Sequence, residues 1–260
     1  MKRVLLSAAG YDPSGGAGLL LDLKVFQDFG FYGAGIVTAI TIQNTRTVQD
    51  VFSPPARTLK SQFDTLARDL SFVGIKIGMA GSAQNIGIIA AILAANKKIP
   101  RVIDPVFRSS SGAWLLDEKA IPGFIRKIRG RASVLTPNMD EAGLITGRKI
   151  RTLEAMREAA EKIYKLTDMP CFLKGGHLEK EAVNFLFDGK QTFLFGNPKI
   201  KKDVHGTGCF FSSSLLCYLA LGNPLGKACE LATELTFEAI KNAVRIGGGR
   251  CVISFPASVS

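Results

Sequence analysis

The sequence predicts an α/β fold: a three-layer α/β/α sandwich with a mostly parallel central sheet, formed by residues 1–260 as a single domain. Three observations carry this expectation. Short β-branched or apolar runs alternate with amphipathic segments, a pattern that builds a parallel sheet covered by helices on both faces. Apolar residues make up 47% of the chain, enough for a sizeable core. The Gly- and Ser-rich stretches sit just after strands, where such folds place their binding loops.

The elements follow in order. Residues 4–8 are the first buried strand. The apolar run here is too short for a signal peptide and leads directly into Asp12-Pro13-Ser14-Gly15-Gly16. Residues 16–29 form a helix, because Leu19, Leu20, Leu23, Phe26 and Phe29 fall near helical spacing and Gly30 stops it. A strand at 33–41, a helix at 56–70, a short buried strand at 74–78 and an Ala/Ile-rich helix at 83–96 come next. The strand 101–104 is ended by Pro105. Another strand spans 133–136, with a turn at Pro137-Asn138 and a helix from Met139. Residues 152–166 are amphipathic, with Met156, Ala160, Ile163 and Leu166 on one face. The strand 171–174 ends in Gly175-Gly176. Residues 183–187 and 191–195 form a hairpin around Asp188-Gly189, an antiparallel addition at the sheet edge. Helices at 208–218 and 227–244 complete the chain.

The net charge of +11 admits nucleic acid, an anionic membrane surface or small anions as partners. The densest basic runs, 126–131 and 199–202, read as solvated surface, and no zinc-finger or RNA-binding signature occurs, which argues against nucleic acid. Five cysteines without a Cys-x-x-Cys pair argue against a disulfide framework or structural zinc. No apolar stretch approaches the ~20 residues that span a bilayer. The expectation is a cytoplasmic protein with small-molecule partners.

Four segments carry chemistry. In Asp203-Val204-His205-Gly206-Thr207-Gly208-Cys209, two glycines precede an apolar helix. They let backbone approach a ligand, and the helix directs unpaired N–H groups and partial positive charge there. A phosphoryl group in transfer needs such donors; a tight loop fits the pattern equally. Lys174, at a strand's C-terminal end, is placed to neutralise nucleotide phosphates or simply to sit at the sheet rim. Asn138 and Glu141, three apart at a helix start, suit a hydrated magnesium ion, although capping is the favoured reading of that pair alone. Asp104 closes its strand where a carboxylate meets magnesium or caps a turn. The glycines in Gly10-Tyr11-Asp12-Pro13-Ser14-Gly15-Gly16-Ala17-Gly18 are spaced wrongly for a dinucleotide fingerprint.

Taken together, from about residue 4 to 220, the chain resembles the hydroxymethylpyrimidine/phosphomethylpyrimidine kinases of the ribokinase-like superfamily. The resemblance rests on the segments above and on Asp22-Leu23-Lys24, Thr38-Ala39, Gln43-Asn44-Thr45, Lys76-Ile77-Gly78-Met79, Asp104-Pro105-Val106, Thr136-Pro137-Asn138-Met139-Asp140-Glu141-Ala142 and Lys174-Gly175-Gly176-His177. It implies ATP with Mg2+, and phosphorylation of 4-amino-5-hydroxymethyl-2-methylpyrimidine and then of its monophosphate in thiamine diphosphate synthesis. It also implies a homodimer.

The resemblance assigns roles as well. Gln43 would bond the pyrimidine, with Gly10, Asp22, Met79 and Val106 lining its pocket. Asp104 and Glu141 would hold magnesium. Lys174, Thr207, Asn138 and Glu141 would bind the nucleotide. Gly206, Gly208, Lys174 and Cys209 would act in catalysis, with Cys209 in the place of an aspartate base. A helix N-terminus lowers a thiol's pKa, so Cys209 is expected as a partial thiolate that takes the substrate's proton.

Tyr11, the loop Phe107-Arg108-Ser109-Ser110-Ser111-Gly112 and Gly247-Gly248-Gly249-Arg250-Cys251 depart from the family pattern. Tyr11 is expected to alter the pocket mouth, and Arg108 to supply a displaced basic contact. Tyr11 and Phe107 keep open a pyridoxal or pyridoxine kinase of the same superfamily. A pyrimidine-binding sensor without turnover is the alternative of a different class, against which the intact set Asp104, Asn138, Glu141, Lys174 and Gly206 to Cys209 argues.

Overall fold

The computed structural model of the protein describes residues 2–109, 112–176 and 182–255. His177, Ser110 and Ser111 lie outside them. One nine-stranded sheet organises the molecule. Its strands are β1 (Val4–Tyr11), β2 (Tyr32–Gln43), β3 (Val48–Phe52), β4 (Phe72–Ile77), β5 (Arg101–Ile103), β6 (Val134–Leu135), β7 (Cys171–Leu173), β8 (Ala182–Phe187) and β9 (Thr192–Asn197). They lie in the order β3-β2-β1-β4-β5-β6-β7-β8-β9. The six strands β2, β1, β4, β5, β6 and β7 run parallel, while β3, β8 and β9 join antiparallel. A separate parallel pair, β10 (Val204–His205) and β11 (Cys251–Val252), ties the C-terminal segment to the strand before Gly206.

The helices are α1 (Gly18–Asp28), α2 (Ala56–Ala67), α3 (Ala83–Ala95), α4 (Ile121–Ile128), α5 (Met139–Thr146), α6 (Leu153–Thr167), α7 (Thr207–Ala220) and α8 (Leu225–Lys241). Strand alternation sends side chains to opposite faces. Leu6 and Ala8 of β1, Ile75 and Ile77 of β4, and Leu173 of β7 pack with α2 to α6. Leu5, Val102 and Phe172 pack on the other face with α1, α7 and α8. These are the two apolar layers of an α/β/α sandwich.

Every expected strand and helix is present, with ends shifted by a few residues. β1 extends to Tyr11 because its pairing with β2 continues past a register shift at Ala9/Gly10. The structure adds β3, a 3-10 turn at Glu118–Ala120, α4, β10 and β11. In α4 the Pro122-Gly123 pair reads as a breaker, yet proline is tolerated in a helix's first turn, where its missing N–H costs nothing. β3 is a short edge strand with polar Gln49 and Asp50 exposed, so no clear alternation marks it.

The strand order reverses at β1, whose neighbours β2 and β4 lie on either side. Ligands of open α/β sheets bind outside the carboxyl ends of strands at such a point. Gly10, Gln43, Met79, Asp104, Asn138 and Lys174 all lie at or just past the carboxyl ends of β1, β2, β4, β5, β6 and β7.

Candidate active site

A cavity of about 980 Å3 opens over these strand ends. Its lining includes Gly10, Gln43, Met79, Asp104, Val106, Asn138, Glu141, Lys174, Gly206, Thr207, Gly208 and Cys209, which is every predicted site residue except Asp22. Asp22 is fully buried on α1 and bonds Ser7, Lys76 and Ser213. Its placement as a pocket residue is corrected: the α1 face that carries it turns toward α7 and the sheet, away from the cavity.

Two glycines shape the turn before α7. Gly206, the N-cap, has φ 81°, and a Cβ there would lie 2.0 Å from the Gly16 carbonyl oxygen. Only glycine allows this conformation and this approach, which brings the loop 10–18 against the turn. A Cβ on Gly208 would lie 3.1 Å from Lys174 Nζ, so the bare backbone lets the first turn of α7 face that ammonium closely. The first helical hydrogen bond runs from the Phe210 N–H to the Gly206 carbonyl. The three preceding amides, at 207–209, are those an α-helix leaves without intrahelical acceptors.

Lys174 Nζ donates to Asp104 Oδ1 at 2.7 Å. Burial would push this ammonium down, but the Asp104 and Glu141 charges hold it above its ordinary value. Ser212 of α7 donates to Asp104 Oδ2 at 3.2 Å. Asn138 and Glu141 form a capping box: Asn138 Oδ1 accepts from the Glu141 N–H and Glu141 Oε2 from the Asn138 N–H, both at 2.8 Å. Capping is therefore present, and both side chains also line the cavity. Burial pushes the Glu141 carboxyl up to about 8, with Lys174 opposing and Asp104 adding to the rise.

Cys209 departs from expectation. Burial pushes its thiol up to about 11, and Asp22 and Asp104 add to this, against the lowering effect of Lys76 and of the Gly18 N–H. The helix terminus does not outweigh desolvation, so the unliganded protein carries a thiol at neutral pH. Arg108 lines the cavity, stacked 3.7 Å over the Trp114 ring, while Phe107 is buried in the core. Tyr11 is not among the lining residues; its carbonyl accepts from Thr41 Oγ1.

Sequence reasoning missed Asp12. Its Oδ2 lies 3.0 Å from His205 Nε2, and its Oδ1 accepts from the Ser14 N–H and hydroxyl. Burial pushes its carboxyl upward, yet hydrogen bonds from His205, Ser14 and Gln43 hold it below the usual range. Asp12 thus links Gln43 to the segment before Gly206. The Asp-Pro-Ser turn, where a carboxylate can bond the backbone two residues on, was the available signal. Arg250 also lines the cavity and pairs with Asp203 at 3.0 Å, joining the C-terminal segment to the site.

Known proteins resemble this chain in sequence and fold. The sequence model of the phosphomethylpyrimidine kinase family matches residues 12–254. A hydroxymethylpyrimidine/phosphomethylpyrimidine kinase of Aquifex aeolicus is 37% identical over 97% of this chain and 100% of its own length. A solved phosphomethylpyrimidine kinase of Clostridium difficile superposes with a TM-score of 0.80 at 36% identity, covering 92% of this chain and 100% of that one. A pyridoxal kinase of Staphylococcus aureus, solved with AMP-PCP, gives 0.89 at 29% identity, covering 97% and 93%. With a ribokinase-like sandwich, a glycine turn at a helix start and a near-complete sequence match in agreement, the chain belongs to the phosphomethylpyrimidine kinase family.

Proposed function

We propose that this protein transfers the γ-phosphoryl group of ATP to 4-amino-5-hydroxymethyl-2-methylpyrimidine, and then a second phosphoryl group to the resulting monophosphate, in thiamine diphosphate synthesis. The observation that carries this reading is one cavity lined both by Gln43, Gly10, Met79 and Val106 and by the 206–209 turn with Lys174. A flat heteroaromatic alcohol lies against the apolar cluster that holds Met79 and Val106 and bonds Gln43. Its hydroxyl oxygen attacks the γ-phosphorus, the bond to the β–γ bridging oxygen breaks, and ADP leaves.

The amides at 207–209 and Lys174 Nζ meet the charge on the transferring group. Most of the acceleration comes from that positioning, because a loose transition state needs little help from a base. Cys209 can take the hydroxyl proton only in its thiolate form, a small fraction at neutral pH with the thiol pushed up to about 11; the proton otherwise leaves to an oxygen of the transferred phosphoryl group.

Magnesium fits the residues present. Among the described residues no group of three or more His, Cys, Asp or Glu forms a metal cage, but magnesium on a nucleotide uses one or two carboxylates, waters and phosphate oxygens. Glu141, buried with an elevated pKa beside Asp104, is a carboxyl that a dication would return to its ionised form. Glu141 and Asp104 would hold the ion, which would neutralise charge on the phosphates. A homodimer in the cytoplasm belongs to the same proposal. No helix among the described residues is long and apolar enough to cross a membrane.

Product analysis tests the reading. Incubation of the pyrimidine alcohol with ATP and Mg2+ should yield the monophosphate and then the diphosphate. The closer superposition on a pyridoxal kinase motivates a parallel incubation with pyridoxine and pyridoxal. Faster turnover of either would replace the pyrimidine alcohol as the preferred substrate.

A further inference from the structure

Beneath the cavity lies a charged group that the proposed reaction leaves unused. Lys76 of β4 is fully buried, as is its partner Asp22 of α1. Two buried ions carry a desolvation penalty of several kcal/mol each unless geometry and further hydrogen bonds offset it. Here they do. Ser7 donates to Asp22 Oδ2 at 2.6 Å and Ser213 of α7 donates to Asp22 Oδ1 at 2.8 Å, while Lys76 Nζ bonds Asp22 directly.

The placement follows from register. Ser7 and Lys76 are partners across the parallel β1/β4 pair, so both side chains leave the same face, toward α1 and α7. A pair serving stability alone is often replaced by apolar residues without loss. This one has a further contact: Lys76 Nζ donates to the Cys209 carbonyl at 3.3 Å, in the first turn of α7. Ser212 Oγ lies 2.9 Å from the Gly208 carbonyl and 3.2 Å from both the Cys209 carbonyl and Asp104 Oδ2, so its single proton has three alternative acceptors around this turn. The fully buried Lys76–Asp22 pair thus holds the Cys209 peptide of the turn from behind.

We propose that Lys76, fixed by Asp22, is a positioning residue for phosphoryl transfer: it anchors the Cys209 peptide, aims the 207–209 amides and the thiol, and places a fixed positive charge behind them. Substrate does not reach it, since neither Lys76 nor Asp22 lines the cavity. The inference rests on reading that turn as the phosphoryl-transfer site. The charged groups around the Cys209 sulfur are Lys76 from β4, Asp22 from α1, Asp104 from the end of β5 and Lys174 from the end of β7.

The test uses Lys76→Met combined with Asp22→Asn, which keeps side-chain size while removing both charges, so that no lone ion is left buried. Two quantities are measured: kcat and KM for ATP and for the alcohol, and the pH dependence of Cys209 alkylation by iodoacetamide, followed on its peptide by mass spectrometry. The expected result is a kcat at least thirtyfold lower, KM values within threefold of wild type, and a Cys209 alkylation curve displaced to higher pH. A folded double variant with wild-type kcat and an unmoved alkylation curve overturns the proposal.

If the double variant does not fold, Ser213→Ala, which removes only one bond to Asp22, decides the matter. A kcat lowered several-fold at constant KM supports the proposal, and an unchanged kcat overturns it. Wild-type protein that turns over no alcohol would defeat the phosphoryl-transfer reading itself. The alkylation curve would still report whether Lys76 controls Cys209.

Discussion

Burial of Glu141 beside Asp104 holds its carboxyl at about 8, far above an ordinary glutamate, and this has a consequence for stability. The folded state binds that proton more tightly than the unfolded chain does. The resulting stabilisation is complete below about pH 4.5 and is lost as pH rises through about 8. Glu141→Gln retains an oxygen to accept from the Asn138 N–H but removes the titration. The variant should match wild type at pH 5 and exceed it by about 1–2 kcal/mol at pH 9, read from urea denaturation at both values. Its kcat should fall at least about tenfold, because the carboxylate proposed for the metal is gone. The two effects oppose each other, as expected where a site holds a group in a costly environment. Asp22 carries the complementary lesson. The family resemblance implied a pocket residue, but the partner that decides its role, Lys76, is 54 positions away and reached only through the β1/β4 register. Cys209 is similar: the helix start was legible, whereas the depth of burial that raises its pKa depends on the packing of α1 and β4 around it.

At the scale of elements, the parts with strong local signals were readable. The helix α6 has its apolar stripe and its Thr152 N-cap, and α5 has both halves of a capping box. The latter is open to test. Asn138→Ala removes the acceptor for the Glu141 N–H, which should cost about 1 kcal/mol in urea denaturation at pH 7. The strand end behind it holds the Lys174 backbone, whose N–H donates to the Pro137 carbonyl. Loosening the start of α5 therefore disturbs the spacing between Glu141 and Lys174, and KM for ATP should rise several-fold while α6 remains intact. The elements that escaped the sequence have weak local signals. The strands β10 and β11 are two residues each, and they exist because Cys251 and Val252 return alongside Val204 and His205 across some 45 residues of helix and loop. No local pattern encodes such a closure. Its effect on the site is direct, since it brings Arg250 to the cavity and to Asp203.

At the scale of the whole molecule, the net charge of +11 acquires a location. Arg148, Lys149 and Arg151, on the connection between α5 and α6, line the cavity together with Arg108 and Arg250. Several lining carboxylates are already engaged: Asp104 by Lys174, Asp12 by His205 and Asp203 by Arg250. Glu141, with its pKa near 8, is largely uncharged at neutral pH. The mouth therefore presents excess positive charge to ATP and to a phosphorylated pyrimidine, and a cleft of one sign raises association rates by about 10–1000-fold. Such steering is screened by salt, because the Debye length falls from about 10 Å at 0.1 M to about 3 Å at 1 M. Direct contacts inside the cavity are screened much less. Raising KCl from 0.1 to 1 M should thus lower kcat/KM for ATP by about tenfold while kcat stays within about twofold. Combining Lys149→Glu with Arg151→Glu should lower kcat/KM at 0.1 M and flatten its salt dependence. An uncharged competitor for the alcohol site should bind with the same affinity at both salt concentrations. A salt effect that instead appeared in kcat would place the important charges at the transferring phosphoryl group, around Lys174, rather than at the mouth.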